Sequence, residues 1–88
     1  MLTIDHFRTL PFEKKCDVIT YNGNYLMQRE LGDSKVFLYY ADGFFIEVFY
    51  STVSKRVMMI NAFEKTTGIA PYLELISLSS MMEKGEKD

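Results

Sequence analysis

The dipeptide Asp42-Gly43 limits what this chain can fold into more than any other feature of its sequence. It lies between two runs rich in aromatic and β-branched residues, at 36–41 and 44–50. A two-residue type I′ turn needs a positive φ at both positions, which aspartate tolerates and glycine adopts freely. The dipeptide therefore predicts a tight β-hairpin, and the turn length fixes which residues of the two strands lie opposite each other.

The hairpin register assigns the strand residues to two faces of a sheet, because alternate residues of a strand point to opposite sides. Ala41 pairs with Phe44, and the further pairs follow residue by residue. The first face is apolar throughout, and we expect the helices to pack on it: Phe37, Tyr39, Ala41, Phe44, Ile46, Val48 and Tyr50. The second face has apolar residues around a single carboxylate: Val36, Leu38, Tyr40, Phe45, Glu47 and Phe49.

The second face is too apolar for a sheet surface that is left in water. Exposed faces of antiparallel sheets usually alternate apolar with polar residues, so we expect this face to be covered. A terminal helix of the chain, a second copy of the chain, or a different protein or ligand can each provide the cover. The turn at 32–34 can contain two or three residues, and this choice decides which of residues 25–30 join the face. The residues of the second face form the candidate binding surface.

The rest of the sequence predicts an α+β fold with two N-terminal helical segments, a four-stranded antiparallel meander and one C-terminal helix. Residues 24–64 contain short runs of strand-forming residues separated by turn residues, which is typical of a meander. Pro71 suits the first turn of the closing helix, because an N–H at that position would have no helical partner. We expect one domain over residues 1–82 and a charged, disordered tail over residues 83–88.

The N-terminal helical pattern spans residues 3–21, with Thr3 as the expected N-cap. Pro11 lacks the N–H that a helix interior needs, so it predicts a break or a kink at Leu10. The pair Asn22-Gly23 is the expected C-cap of the second helix. This helix is expected to turn three side chains inward: Phe12, Cys16 and Ile19.

The composition argues against several classes of function. Ten basic and twelve acidic residues give a formal charge of −2, which offers no broad attraction to phosphate backbones or anionic lipids. We therefore expect neither a nucleic acid nor a membrane as partner. Cys16 is the single cysteine, so no internal disulfide is possible. The N-terminus lacks the cationic and apolar regions of a signal peptide, and we expect a cytoplasmic protein.

Glu47 is the ionisable residue of most interest, since it lies among apolar residues on the second face. Arg29 or Arg56 can pair with it. A salt-bridged or edge-exposed glutamate is favoured over a catalytic one, because no acid, base or nucleophile stands at a recognisable spacing. His6 is interpreted as a solvent-facing helical residue and Cys16 as a small hydrophobe of the helix interior. We expect no catalytic residue, no metal site and no cofactor.

A pattern that covers nearly the whole chain resembles a family of short uncharacterised bacterial proteins. It consists of Leu10-Pro11-Phe12-Glu13-Lys14-Lys15, Gly23, Leu26, Arg29, Leu38-Tyr39, Phe45, Glu47-Val48 and Tyr50. The family has no assigned activity, so the resemblance implies a bacterial cytoplasmic origin and supplies no catalytic residues. It also makes Glu47 and Tyr39 more interesting than their spacing does.

The leading functional hypothesis is a non-enzymatic protein-interaction module that self-associates through the second face. The alternative is a small-molecule-binding or enzymatic domain in which Glu47, Tyr40 and an arginine line a pocket between sheet and helix. A third hypothesis is stacking of single-stranded bases on the hairpin aromatics. It is disfavoured, because few basic residues accompany those aromatics.

Overall fold

The computed structural model of the chain describes residues 2–64 and 66–72. These residues form two α-helices, four β-strands and one 3₁₀ helix, in the order α1 (Ile4–Thr9), α2 (Phe12–Asn22), β1 (Asn24–Leu31), β2 (Ser34–Ala41), β3 (Phe44–Ser51), β4 (Arg56–Phe63) and the 3₁₀ helix Thr66–Ile69. The strands form one antiparallel sheet in the order β1-β2-β3-β4. The predicted α+β class and the four-stranded meander are therefore confirmed.

The register between β2 and β3 follows the predicted hairpin. Ala41 lies opposite Phe44 and Leu38 lies opposite Glu47. Asp42 has a φ of 49° and Gly43 a φ of 92°, as a type I′ turn requires. The turn between β1 and β2 also contains two residues, and the first of them, Gly32, has a positive φ of 60°.

The short turn between β1 and β2 settles which residues of β1 reach the second face. Leu31 pairs with Ser34, so Arg29 and Met27 lie on the second face beside Val36 and Leu38. An irregularity between Tyr25 and Met27 then shifts the register. Because of this bulge, the side chain of Tyr25 points to the first face and contacts Tyr39 at a centroid distance of 5.7 Å.

The two N-terminal helices pack on the first face, as the sequence predicts. The Thr3 hydroxyl caps α1 by accepting a hydrogen bond from the backbone N–H of His6 at 3.1 Å. The helix ends before Leu10, whose ψ of 146° is extended, and α2 begins directly after Pro11. Helix α1 supplies two buried side chains to a cluster with the first face: Ile4, Phe7, Ala41, Phe44, Ile46 and Ala62.

The inward position predicted for Phe12 is wrong. Its side chain is 53% exposed, whereas Cys16 and Ile19 are half-buried and Ile19 packs against the first-face cluster. Phe12 is the first residue of α2 and lies on the same side of the helix as Ile19. Periodicity indicates which side of a helix faces a sheet, but it does not tell how far along the helix the sheet extends.

The segment after β4 crosses to the second face. Tyr72 is fully buried there with Val36 and Leu38, and Ile69 packs against the same cluster. Gly68 lies so close to the Phe63 ring that an added Cβ would overlap the ring atoms. Residues 70–72 have helical backbone. The predicted helix beyond Tyr72, the boundary at residue 82 and the tail over residues 83–88 lie outside the described residues.

Candidate functional site

The structure brings the six predicted residues together on the second face, with unequal burial. Val36, Leu38 and Glu47 are buried, with 0%, 1% and 6% of their surface exposed. Phe45 and Phe49 are half-buried, and Tyr40 is exposed. A terminal segment of the chain therefore covers the centre of this face, which was one of the three covers left open by the sequence.

The Glu47 carboxylate is held by three side chains from three different parts of the chain. Asn61 on β4 donates from Nδ2 to Oε1 at 2.9 Å. The Tyr72 hydroxyl donates to Oε2 at 2.8 Å, and Arg29 on β1 donates from Nη2 to the same oxygen at 3.5 Å. We call these four residues the Glu47 network. They connect both edge strands and the segment after β4 to the middle of the sheet.

Arg29 is the partner of Glu47 in place of Arg56, which is exposed at the start of β4. The 3.5 Å ion-pair distance is longer than the roughly 2.7–2.9 Å of a strong charge-assisted hydrogen bond. The Arg29 guanidinium also lies over the Tyr72 ring, with its central carbon 5.1 Å from the ring centroid. Its Nε is buried and has no hydrogen-bond partner.

The surroundings of Tyr72 shift the pKa of its phenol. Burial, which disfavours the charged phenolate, raises the pKa of Tyr72 to about 12, and the hydrogen bond to Glu47 acts in the same direction. The nearby Arg29 guanidinium lowers this pKa and offsets part of the rise. Tyr72 is therefore neutral near pH 7, and its hydroxyl is a permanent donor to the carboxylate.

Apolar side chains pack around the buried part of the network, whereas Asn61 is exposed on the edge strand β4. The buried centre consists of Val36, Leu38 and the Tyr72 ring, and the partly buried residues packed on it are Met27, Phe45, Phe49, Phe63 and Ile69. Phe45 stacks on Phe63 at a centroid distance of 5.2 Å and meets the edge of Tyr40 at 5.1 Å. Burying a side chain of this size stabilises the folded chain by roughly 1.5–3 kcal/mol. Most of the stabilisation at this site therefore comes from apolar packing.

The Glu47 carboxylate serves a structural role at this site, because it holds other side chains of the chain in place. Both oxygens of Glu47 already accept hydrogen bonds from the chain. His6 is exposed on α1 and Cys16 is half-buried on α2, so both belong to the helical layer on the first face. Within residues 2–64 and 66–72, no group of three or more acidic, histidine or cysteine residues is arranged to hold a metal ion.

Sequence reasoning missed two members of the network, Asn61 and Tyr72. Asn61 did give a signal, since it is the one strongly polar residue in the run 57–63. Its pairing with Glu47 depends on an irregularity opposite Phe49 that shifts the register of β4 by one residue. For Tyr72 no signal was available, because the spacing of apolar residues in a helix does not tell which sheet face the helix covers.

Within residues 2–64 and 66–72, the fold and the site define an α+β chain with a four-stranded antiparallel meander and a partly buried polar network on the second face of the sheet. No protein-family model, curated protein or solved structure matches the chain. The resemblance to short bacterial proteins stays a prediction. Within the described residues, no helix is long and apolar enough to cross a membrane.

Proposed function

We propose that the chain is a non-enzymatic protein-interaction module that binds a second copy of itself through the second face. One observation carries this proposal. Among residues 2–64 and 66–72, the single carboxylate of the face is engaged by the chain's own donors, while three large apolar side chains of the same face stay exposed: Leu31 at 52%, Tyr40 at 40% and Met59 at 51%.

The bonding of Glu47 argues against an enzymatic use of the site. A general base must reach the proton that it removes, within hydrogen-bond distance and with an oxygen open to the substrate. Glu47 is 6% exposed, and its two oxygens accept from Asn61, Tyr72 and Arg29. A substrate would have to displace Tyr72 before it reached the carboxylate. The network therefore supports a role in holding the segment after β4 on the sheet.

The composition of the second face supports a protein as the partner. Aromatic residues and methionine are enriched at the centres of protein interfaces, whereas charged residues are depleted there. Within the described residues, this face has three charged side chains, and Arg29 and Glu47 neutralise each other. Arg56 lies at one end. The formal charge of the chain is only −2, so two copies repel each other weakly.

The proposal also includes two finer expectations. Residues 70–72 are helical and Pro71 lies in that first turn, which supports a C-terminal helix that continues beyond Tyr72. A cytoplasmic location is supported by the single cysteine, Cys16, which has no partner for an internal disulfide.

Light scattering of the purified chain at concentrations from about 1 to about 100 µM tests the proposal. We expect the mass of a dimer at the upper concentrations. Met59→Lys places a charge within the second face and should shift the chain towards the monomer. Tyr21→Lys is the matched control, because Tyr21 is 82% exposed on α2 and should leave the mass unchanged. A monomeric mass at every concentration overturns the proposal.

A further inference from the structure

We infer that two copies of the chain join through β4, whose outer edge pairs in the antiparallel direction with the β4 edge of the second copy. This inference rests on the proposed self-association and names the strand that makes the contact. The pairing would continue the sheet from one copy into the other. It would also bring the two second faces side by side at Met59, which is 51% exposed on β4.

The register between β3 and β4 tells which backbone groups of β4 point outward. In a two-residue hairpin, the residues that flank the turn exchange both of their hydrogen bonds, and such pairs then alternate with pairs that exchange none. Ala41 and Phe44 flank the turn, so Phe45 and Glu47 direct their backbone groups towards β4. The residues of β4 opposite Ile46 and Val48 therefore point their N–H and C=O groups away from the sheet. These residues are Ala62 and Ile60.

A hydrogen bond to Ala62 agrees with this derivation. Arg8 on α1 donates from Nη2 to the Ala62 carbonyl at 3.0 Å, which requires that carbonyl to point away from β3. Arg8 thus occupies one acceptor at the far end of the β4 edge. Among the described residues, no side chain donates to the Ile60 carbonyl. Within the described part of the chain, the edge is therefore open at its centre and closed at the end that lies beside α1.

The two outer strands of the sheet differ in how they protect their edges. The outward-pointing residues of β1 are Gln28 and Glu30, and Glu30 lies next to the charged Arg29. Strand β4 has seven consecutive uncharged residues, 57–63, without proline or glycine. Edge strands usually avoid such runs, because charges and prolines prevent edge-to-edge pairing. The bulge residue of β4, Met58, is 57% exposed. The edge of β4 is thus built for pairing, whereas the edge of β1 is protected.

A second copy is the partner that fits this edge. An antiparallel pair of identical strands is self-complementary about a two-fold axis, so each copy offers the other the same backbone donors and acceptors. With the axis near Ile60, the Ile60 side chains of both copies would meet on the first face. Ile60 already packs against the first-face cluster of its own chain, so the two clusters would become continuous.

Amide hydrogen exchange followed by NMR tests the inference residue by residue, as a function of protein concentration. The Ile60 N–H points outward in a single copy, so it should exchange quickly in dilute samples and slow at least about tenfold when the dimer forms. The Gln28 N–H is the control, because it points outward on the β1 edge and should stay fast. Fast exchange at Ile60 in a sample that light scattering shows to be dimeric overturns the inference and leaves the proposed function standing.

A pair of edge variants provides the second test. Met58→Lys places a charge at the bulge of the β4 edge and should raise the dimer dissociation constant at least about tenfold. Leu26→Lys is the matched control, since Leu26 is 47% exposed at the bulge of the β1 edge and should leave the dissociation constant unchanged. Thermal unfolding should confirm that both variants fold. An unchanged dissociation constant for Met58→Lys overturns the inference, and a monomeric wild-type chain overturns both the inference and the proposed function.

Discussion

The two faces of the sheet are covered in different ways. On the first face, α1 contributes Ile4 and Phe7, which contact the sheet through apolar surface alone. On the second face, the segment after β4 contributes Tyr72, which is as deeply buried as Phe7 but is also hydrogen-bonded to Glu47. Apolar contact has no preferred direction, whereas a hydrogen bond requires one arrangement of donor and acceptor.

The covers of the two faces are therefore held on the sheet by different kinds of interaction. The first face receives two helices, which pack on it through apolar side chains, and the hydrogen bond from Arg8 to the Ala62 carbonyl links α1 to β4. The described part of the cover on the second face is the segment 66–72, which adds Tyr72 and Ile69 to the apolar cluster. The Glu47 network also holds Tyr72 at one position and leaves costly unpaired groups if the segment moves away. Substitutions on the two faces should therefore have different consequences.

The largest effect is expected from Phe7→Ala on the first face. Phe7 is 1% exposed, and removing a buried phenylalanine should lower the free energy of unfolding by about 3–5 kcal/mol. Urea denaturation measures this loss. Phe12→Ala is the control on the neighbouring helix, because Phe12 is 53% exposed and its removal should change stability by less than about 0.5 kcal/mol. Equal losses for both variants would contradict the described core.

A somewhat smaller loss is expected from Glu47→Ala on the second face. This change leaves the Tyr72 hydroxyl, the Asn61 amide and the Arg29 guanidinium without their acceptor. The free energy of unfolding should fall by about 2–4 kcal/mol. In a double-mutant cycle with Tyr72→Phe, the two losses should be non-additive by at least about 0.5 kcal/mol.

Additive losses in that cycle would show that Glu47 and Tyr72 do not interact, and the comparison of the two faces would then fail. Glu64→Ala is the matched control, because Glu64 is exposed just beyond β4 and makes no ion pair among the described residues. Its substitution should change stability by less than about 0.5 kcal/mol.

The smallest of the three effects concerns alkaline pH. The pKa of Tyr72 rises from about 10 when unfolded to about 12 in the folded chain, which corresponds to at most about 3 kcal/mol. Above pH 10 the unfolded chain loses this proton while the folded chain keeps it, so the contribution is complete below pH 10 and disappears as the pH approaches 12.

The measurement for this prediction is the difference in stability between the wild-type chain and Tyr72→Phe from pH 8 to pH 12. Contributions that do not involve the Tyr72 hydroxyl are common to both proteins and cancel in the difference. The advantage of the wild-type chain should decrease steadily above pH 10. A difference that is constant over this range would show that the Tyr72 hydroxyl is not buried against Glu47.

Local signals were enough to predict most of the fold. Asp42-Gly43 gave the register of the central hairpin, because the φ requirement of a two-residue turn admits few dipeptides. Pro11 gave the interruption between the helices for a similar reason. Both signals act within a few residues of the chain. They therefore do not depend on the tertiary arrangement, and reading them required no knowledge of the packing.

The candidate site was predicted only in part, because it depends on distant contacts. Glu47 was placed on the second face correctly, since the hairpin register fixes its side. Tyr72 is 25 residues further along the chain, and the docking of its segment depends on how Gly68 contacts the Phe63 ring. The exposure of Phe12 was not predicted either. In each case the missing information was the relative position of two elements, which helix periodicity does not contain.

The meander topology also has a consequence for the order of folding. Each strand pairs with the strand next to it in the chain, so the hairpins close short loops. The bond from Arg8 to Ala62 joins residues 54 positions apart, and such a closure loses more chain entropy before any contact forms. We expect the hairpins to form early and α1 to reach β4 late. The rate of folding should therefore respond more to Gly43 than to Arg8.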